Sequence, residues 1–425
     1  MSNNDSFEIL HWEKNFGKPI ESWTYLPIEK LIKERKDSRV NDGSLKLCSL
    51  TIEDGVVEKT ERYNREFLLK NQEDNKYKCV HPNDIVINPM NLRFGAIAKS
   101  KHPKPVLVSG YYNVVSASKL VDTDYLNAFL KSTAMNYMYE RVALGTLNEK
   151  KRVHLSELKK IVVPIPTIKE QLKIGQILST WDKAISTTEK LIETNKQQKK
   201  ALMQQLLTGK KRLVNPETGK AFEGEWERYS MSDLVSIDRK SLGKKTADDF
   251  KFQYISLSDV DVGSISDELE VHLFASAPSR ARRVIQEGDI LLSTVRPNLK
   301  GFAKVSGKHA DCIASTGFSV LTPKKRVSGD YIYQYIFSSH VTGQIDSLVV
   351  GSNYPAINSS DVAGLKVYCP TYEEQQKIAS VLTAADKEIE VLEAKLAHFK
   401  QEKKALMQQL LTGNRRVKVD EDVVA

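Results

Sequence analysis

Cysteine is scarce in this 425-residue sequence: Cys48, Cys79, Cys312 and Cys369 stand far apart and form no CxxC pair. That spacing argues against a disulfide framework and points to buried or incidental thiols in a reducing compartment. Long apolar runs are missing as well, since no stretch approaches the ~18 residues that cross a bilayer. The opening MSNNDSFEIL has neither the basic nor the apolar region of a secretory signal, so a cytoplasmic protein is expected. Enzyme signatures are absent too. There is no GxxxxGK[ST] phosphate loop, HExxH or GxSxG elbow, and the eight histidines are scattered without metal-ligand spacing. No catalytic site, bound cofactor or metal is expected.

Basic residues predominate. Sixty-three Lys and Arg against 54 Asp and Glu leave a formal charge of +9, which points towards a polyanionic partner. The length suggests two or three domains.

Comparing the chain with itself gives the organisation. KKALMQQLLTG occupies residues 199–209 and returns unchanged at 403–413, an offset of 204. From Pro166 to Gly209, 24 of 44 positions match their counterparts. The chain is a tandem duplication of roughly 200 residues.

Each copy of the repeat opens with a short apolar strand, IVVPIP (161–166) and LKVYCP (365–370). A capping box follows, Thr167-x-x-Glu170 and Thr371-x-x-Glu374, in which the glutamate is expected to reach back to the cap. Helices over 168–208 and 372–412 should then run about 60 Å to Gly209 and Gly413, where a left-handed residue can close them.

Ten positions on each helix step by four and three: Ile174, Leu178, Trp181 and so on to Leu206, then Ile378, Leu382, Ala385 and so on to Leu410. That is a heptad seam. Antiparallel pairing of the two helices is predicted, with Trp181 near Lys403 and Leu406 and Ala385 near Leu202. Lys199 and Lys403 fall within the seam, where a cation needs a partner carboxylate or a route to water.

The segments before the helices, 1–160 and 214–364, resemble each other only in outline. Short alternating apolar runs broken by Gly, Pro, Asn and Asp predict mostly β-structure, with one helix over 124–142 matched by another over 330–345. Both contain an acidic turn and a β-branched run, NDIVIN (83–88) and GDILLS (288–293). Between Asp84 and Asp122 there is no acidic residue, and between 290 and 329 only Asp311.

Arg93, Lys99, Lys101 and Lys104 in the first segment and Arg296, Asn298, Lys300 and Lys304 in the second are therefore candidate DNA contacts. Lysines suit phosphate, and arginine or asparagine suits base edges. The glycine turns 145–152 and 351–354 add Thr146, Asn148, Lys150, Arg152, Ser352, Asn353 and Tyr354. Asn88-Pro89-Met90-Asn91 is only faintly similar to the Asn-Pro-Pro-aromatic motif of DNA amino-methyltransferases and reads as a strand-end turn.

The proline–Thr-x-x-Glu-Gln start, the helix ending LMQQLLTG, the link KKRLVNPETGKAFEGEW (210–226) and ILLSTVRPNLKGFAKV (290–305) with ASTGFSVL (314–321) resemble the specificity subunits of type I restriction–modification systems. The resemblance covers essentially the whole chain. It implies an α+β fold with two mostly-β target-recognition domains, 1–160 and 214–364. They are separated by helical spacers 161–213 and 365–417, the long helices forming an antiparallel coiled coil with pseudo-two-fold symmetry, and a tail 418–425 follows.

The resemblance also implies a non-catalytic subunit that recognises a bipartite double-stranded DNA target. Two methyltransferase subunits and one or two translocating restriction subunits would join it, and S-adenosylmethionine and ATP with Mg would belong to those partners. The identity of KKALMQQLLTG in both copies exceeds what the seam requires. Met203, Gln204, Gln205, Met407, Gln408 and Gln409 are therefore candidate partner contacts. A two-headed DNA-binding scaffold without methyltransferase partners is the alternative, and a nuclease with an unfamiliar site ranks third.

Overall fold

In the computed structural model the described residues are 3–18, 22–59, 76–147, 151–349 and 355–419. The chain divides into two compact units, residues 1–189 with 394–425, and residues 190–393.

In the first unit, Thr24–Pro27 pairs antiparallel with Val162–Ile165, the strand that leads into the first long helix. A four-stranded antiparallel sheet follows, in the order Ile32–Glu34, Asn113–Ala117, Ile85–Ile87, Ile97–Lys99. Its central strand explains the run of β-branched residues: Ile85 and Ile87 enter the main core with Tyr125 and Phe129, while Val86 enters a second core with Val106 and Val108. Successive side chains point to opposite faces, and here both faces are covered.

The second unit repeats this plan. Glu227–Ser230 pairs with Lys366–Cys369, and the sheet order is Val235–Ile237, Phe318–Pro323, Ile290–Ser293, Phe302–Lys304. Ile290 and Leu292 face one core and Leu291 the other.

Each helix expected between the sheet and the final strand is two helices. Thr123–Leu130 stops, and Ser132 accepts from the backbone N–H of Met135 to start Thr133–Val142. Ser338 does the same for Ser339–Leu348 after Gly329–Ile336. A serine oxygen competes for backbone donors and favours a cap over a helix interior, so periodicity alone ran through the break.

The long helices are Ile168–Leu206 and Tyr372–Leu411, and Gly209 (φ 70°) and Gly413 (φ 76°) follow them in the left-handed conformation expected. All ten seam positions of each helix are buried or half-buried. The pairing is antiparallel in both units. In the first unit, Trp181 packs edge-on against Phe399, Asp182 accepts from Lys403 at 2.6 Å and Glu189 pairs with Lys400. In the second, Lys199 donates to Asp386 and Lys196 to Glu393. Both seam lysines thus have carboxylate partners. The Trp181 ring meets Phe399, about one turn from the Lys403 contact expected for it.

The capping-box glutamates do not reach back. Thr167 does accept from the Glu170 amide at 3.4 Å, but both glutamates are fully buried and face arginines that follow the other helix. Glu374 accepts from Nε and Nη2 of Arg212, each at 2.7 Å. Glu170 lies 3.7 Å from Arg416. The adjacent glutamines hold the domains instead. Gln171 accepts from the Asp122 amide and Gln375 from the Ser328 amide, each at the start of a domain helix.

The last seam leucines and the residues beside them also pack into the domain cores. Leu206 and Leu207 lie in the second unit's core with Ile378 and Leu382, and Leu410 and Leu411 lie in the first unit's with Ile174 and Leu178. Met203 and Met407 pack half-buried against the same cores. Part of the identity of KKALMQQLLTG is therefore core packing, contrary to the expectation that packing asks only for the seam.

Candidate nucleic-acid interface

In each domain the buried strand that follows the acidic turn ends in a tight surface turn. In the first it holds Asn88 to Gly95, with a single 3₁₀ turn at Leu92–Phe94. In the second it holds Ser293 to Lys300, with a 3₁₀ turn at Pro297–Leu299. The strand registers Ile87 opposite Ile97 and Leu292 opposite Phe302 fix the correspondence at an offset of 205.

The two turns share their hydrogen bonds. Gly95 donates to Leu92 and Lys300 to Pro297, each at 2.9 Å. Both closing residues are left-handed, Gly95 at φ 90° and Lys300 at φ 55°, and Arg296 is left-handed as well at φ 49°. Glycine meets no penalty there, whereas a lysine or arginine does, and such strain gathers at functional sites.

A clasp also recurs. The amide of Val153 donates to Pro89 O at 3.0 Å, and that of Ile357 donates to Thr294 O at 2.9 Å. Arg296 N–H further donates to Pro355 O at 2.7 Å. Each turn is thereby fastened beside residues that follow the glycine stretch of its own domain in sequence, Val153 in the first and Pro355 and Ile357 in the second.

Arg296 and Asn298 are exposed on the second turn and Lys300 is half-buried beside them. Lys101 and Lys104 are exposed in the first domain. Lys99 pairs with Asp124 and Lys304 with Asp330, at equivalent places in the two domains. Thr146 and Arg152 are exposed, and Arg152 stands over the ring of Tyr111. Asn148, Lys150, Ser352, Asn353 and Tyr354 lie outside the described residues.

Arg93 is a correction. Its side chain is 1% exposed and its Nη1 donates to Glu140 at 2.6 Å, which rivets the turn to helix Thr133–Val142. Its guanidinium also lies 5.0 Å from the Phe94 ring centre. A basic residue in an acid-free stretch looked available to DNA, but its partner carboxylate comes from 47 residues away.

Among the partner candidates, Gln204, Gln205, Gln408 and Gln409 are exposed. Met203, Gln204 and Lys300 line one cavity of about 340 Å³ in the second unit. Met407 and Gln408 line a smaller one of about 180 Å³ with Phe16 in the first.

Two features had no clear signal in the sequence. Lys131 is held in a cleft of the first unit, where burial lowers its pKa and nearby Lys403 lowers it further. Asp37, Cys79 and His81 converge with their donor atoms within 4.8 Å of one another, the described group that could hold a metal ion. The second domain makes the equivalent backbone bond, Val284 to Lys240 at 3.1 Å against Cys79 to Asp37 at 3.0 Å, without the three donors.

The family model for the type I restriction modification DNA specificity domain matches residues 52–196 and 223–401. The MjaVIII specificity subunit of Methanocaldococcus jannaschii is 25% identical over 94% of both chains. The EcoKI specificity subunit of Escherichia coli is 23% identical over 85% of this chain and 82% of its own. The crystal structure of the S subunit from M. genitalium shares the fold with a TM-score of 0.59 and 14% identity, over 91% of this chain and 96% of that one. With one matched domain in each half, the chain belongs to the type I restriction–modification DNA specificity family.

Proposed function

We propose that each domain reads one part of a bipartite DNA target and that the chain delivers methyltransferase and restriction subunits to it in the cytoplasm. The observation that carries this reading is the repeated turn. Its closing 3₁₀ bond and the clasp from the later residue recur in both domains, while the groups at matching positions differ, exposed Asn91 against exposed Arg296, buried Arg93 against exposed Asn298, and Gly95 against Lys300. A common frame with different polar groups suits two domains that read different bases.

In this reading Arg296 and Asn298 meet base edges, and Lys101, Lys104 and Lys300 meet phosphate. Lys99 and Lys304 brace the turns through Asp124 and Asp330. Thr146, Asn148, Lys150 and Arg152 in the first domain, and Ser352, Asn353 and Tyr354 in the second, add further DNA contacts. Arg93 positions its turn. Two methyltransferase subunits use the repeated surfaces around Gln204, Gln205, Gln408 and Gln409, with Met203 and Met407 at their edge. S-adenosylmethionine, ATP and Mg belong to the partner subunits.

The test is expression with the methyltransferase partner in a host lacking its own modification system, followed by methylation-aware sequencing. A split motif is expected, with changes at the second turn altering one half only. A contiguous motif, or no sequence-dependent methylation, would overturn the reading.

A further inference from the structure

Phe94 and Leu299 are the last residues of the two 3₁₀ turns, and each immediately precedes the left-handed residue that closes its turn. Phe94 is 59% exposed and Leu299 is 63% exposed. A single exposed apolar residue is ordinary on a protein surface. Here two occur at the same register of a duplicated turn, at the point where every polar neighbour has changed: Asn91 against Arg296, Arg93 against Asn298, Gly95 against Lys300.

The contrast separates two tasks. Residues that read base edges must differ when the target differs, because each base pair shows its own pattern of donors and acceptors. A residue that stays large, apolar and exposed through the same divergence serves something common to both targets. The stacked base step is common to all duplex DNA, and phenylalanine and leucine are among the side chains that wedge into it.

The mounting agrees. Phe94 is backed by the Arg93 guanidinium, itself fixed to Glu140. The Leu299 turn is fixed by buried Pro297 and by the bond from Arg296 N–H to Pro355 O. A rigid tip does not fold away under load, and cations such as Lys101 and Lys300 stand in the same domains to hold the backbone.

We propose that Phe94 and Leu299 are wedges, each inserted against a base step in its own half of the DNA target. The inference rests on the DNA-reading function above and adds how that reading deforms the duplex. Insertion unstacks one step, which lowers the cost of extruding a nearby base for a partner methyltransferase.

The test uses the assembled chain and methyltransferase on the duplex motif that sequencing reveals, with 2-aminopurine placed in turn at each step. The wild-type complex should raise fluorescence at one step in each half-site. Phe94→Ala should abolish the rise in one half and Leu299→Ala in the other, each lowering target affinity roughly tenfold or more. Phe94→Leu should keep the signal, and binding to unrelated duplex should be unchanged in all variants.

The wedge is wrong if wild type binds its motif tightly with no responsive step, or if the alanine variants behave as wild type. It is equally wrong if Phe94→Ala acts by releasing methyltransferase in native mass spectrometry, which would make the tip a protein contact. Failure of the wild-type complex to prefer its motif would instead sink the DNA-reading function itself.

Discussion

Lys199 donates to Asp386 inside the second unit, and 204 residues later in sequence Lys403 donates to Asp182 inside the first. Each pair closes a seam filled mostly by apolar side chains, with each lysine mostly covered and each aspartate about half exposed. Half-exposed pairs add little net stability, but a lysine left facing only apolar neighbours is costly. Asp386→Leu should therefore destabilise by about 1 kcal/mol or more, and adding Lys199→Met should recover part of that loss, because the buried Gln334 amide that also donates to Asp386 stays unpaired. Urea unfolding of both single variants and the double variant measures the coupling, and additive losses would mean that the pair does not interact.

Arg212 and Arg416 should not be equivalent, although they hold corresponding places. Arg212 grips fully buried Glu374 through two bonds of 2.7 Å, whereas Arg416 stands 3.7 Å from Glu170 and is half exposed. Removing one partner of a buried pair strands the other charge, at a cost of about 3–5 kcal/mol. Arg212→Met should lose most of that in chemical denaturation, and Arg416→Met clearly less. Equal losses would show that the tighter geometry carries no extra stability.

Lys300 occupies the left-handed position that Gly95 fills in the first domain. Lys300→Gly should raise stability by about 0.5–1 kcal/mol by relieving the backbone, while DNA affinity falls through loss of the cation. Calorimetry and a salt-dependent binding titration read the two effects. Arg296→Ala should also change site preference, by about 1–3 kcal/mol of discrimination. Unchanged preference would remove Arg296 from base contact.

Lys131 sits where the second domain has Phe337, at the residue before the capping serine. Burial lowers its pKa, Lys403 and Lys101 lower it further, and Asp182 partly offsets them. The folded state thus holds this proton less tightly than the unfolded state does. The penalty is fully present below the folded pKa and fades as pH rises towards the unfolded value near 10.5. Lys131→Met should be more stable than wild type at pH 7–8, by on the order of 1 kcal/mol, and the gap should close towards pH 10.5. A gap that persists at alkaline pH would assign the gain to packing.

Gln204 and Gln408 are exposed within the identical segments of the two copies. Changing both to glutamate should weaken methyltransferase assembly and leave unfolding midpoints unchanged. Two methyltransferases still bound per chain at undiminished affinity, by native mass spectrometry, would exclude this surface.

Several features were legible because they are local. The 204-residue repeat, the helix ends at Gly209 and Gly413 and the seam from Ile174 to Leu206 depend on neighbours within a turn or two. Cation-rich stretches and glycine turns are local features for the same reason. Sequence by itself thus determined the duplication, the two long helices, the face each helix buries and the family likeness.

Tertiary structure decided what meets those faces and ends. Glu374 takes Arg212 from 162 residues away instead of reaching back to its cap, and Arg93 takes Glu140 instead of standing free for DNA. Leu207 and Leu411, outside the seam, enter the domain cores, and Phe94 and Leu299 reach the tips of matching turns. Periodicity records which side of an element is apolar, whereas the partner on that side is set by chain closure over long separations.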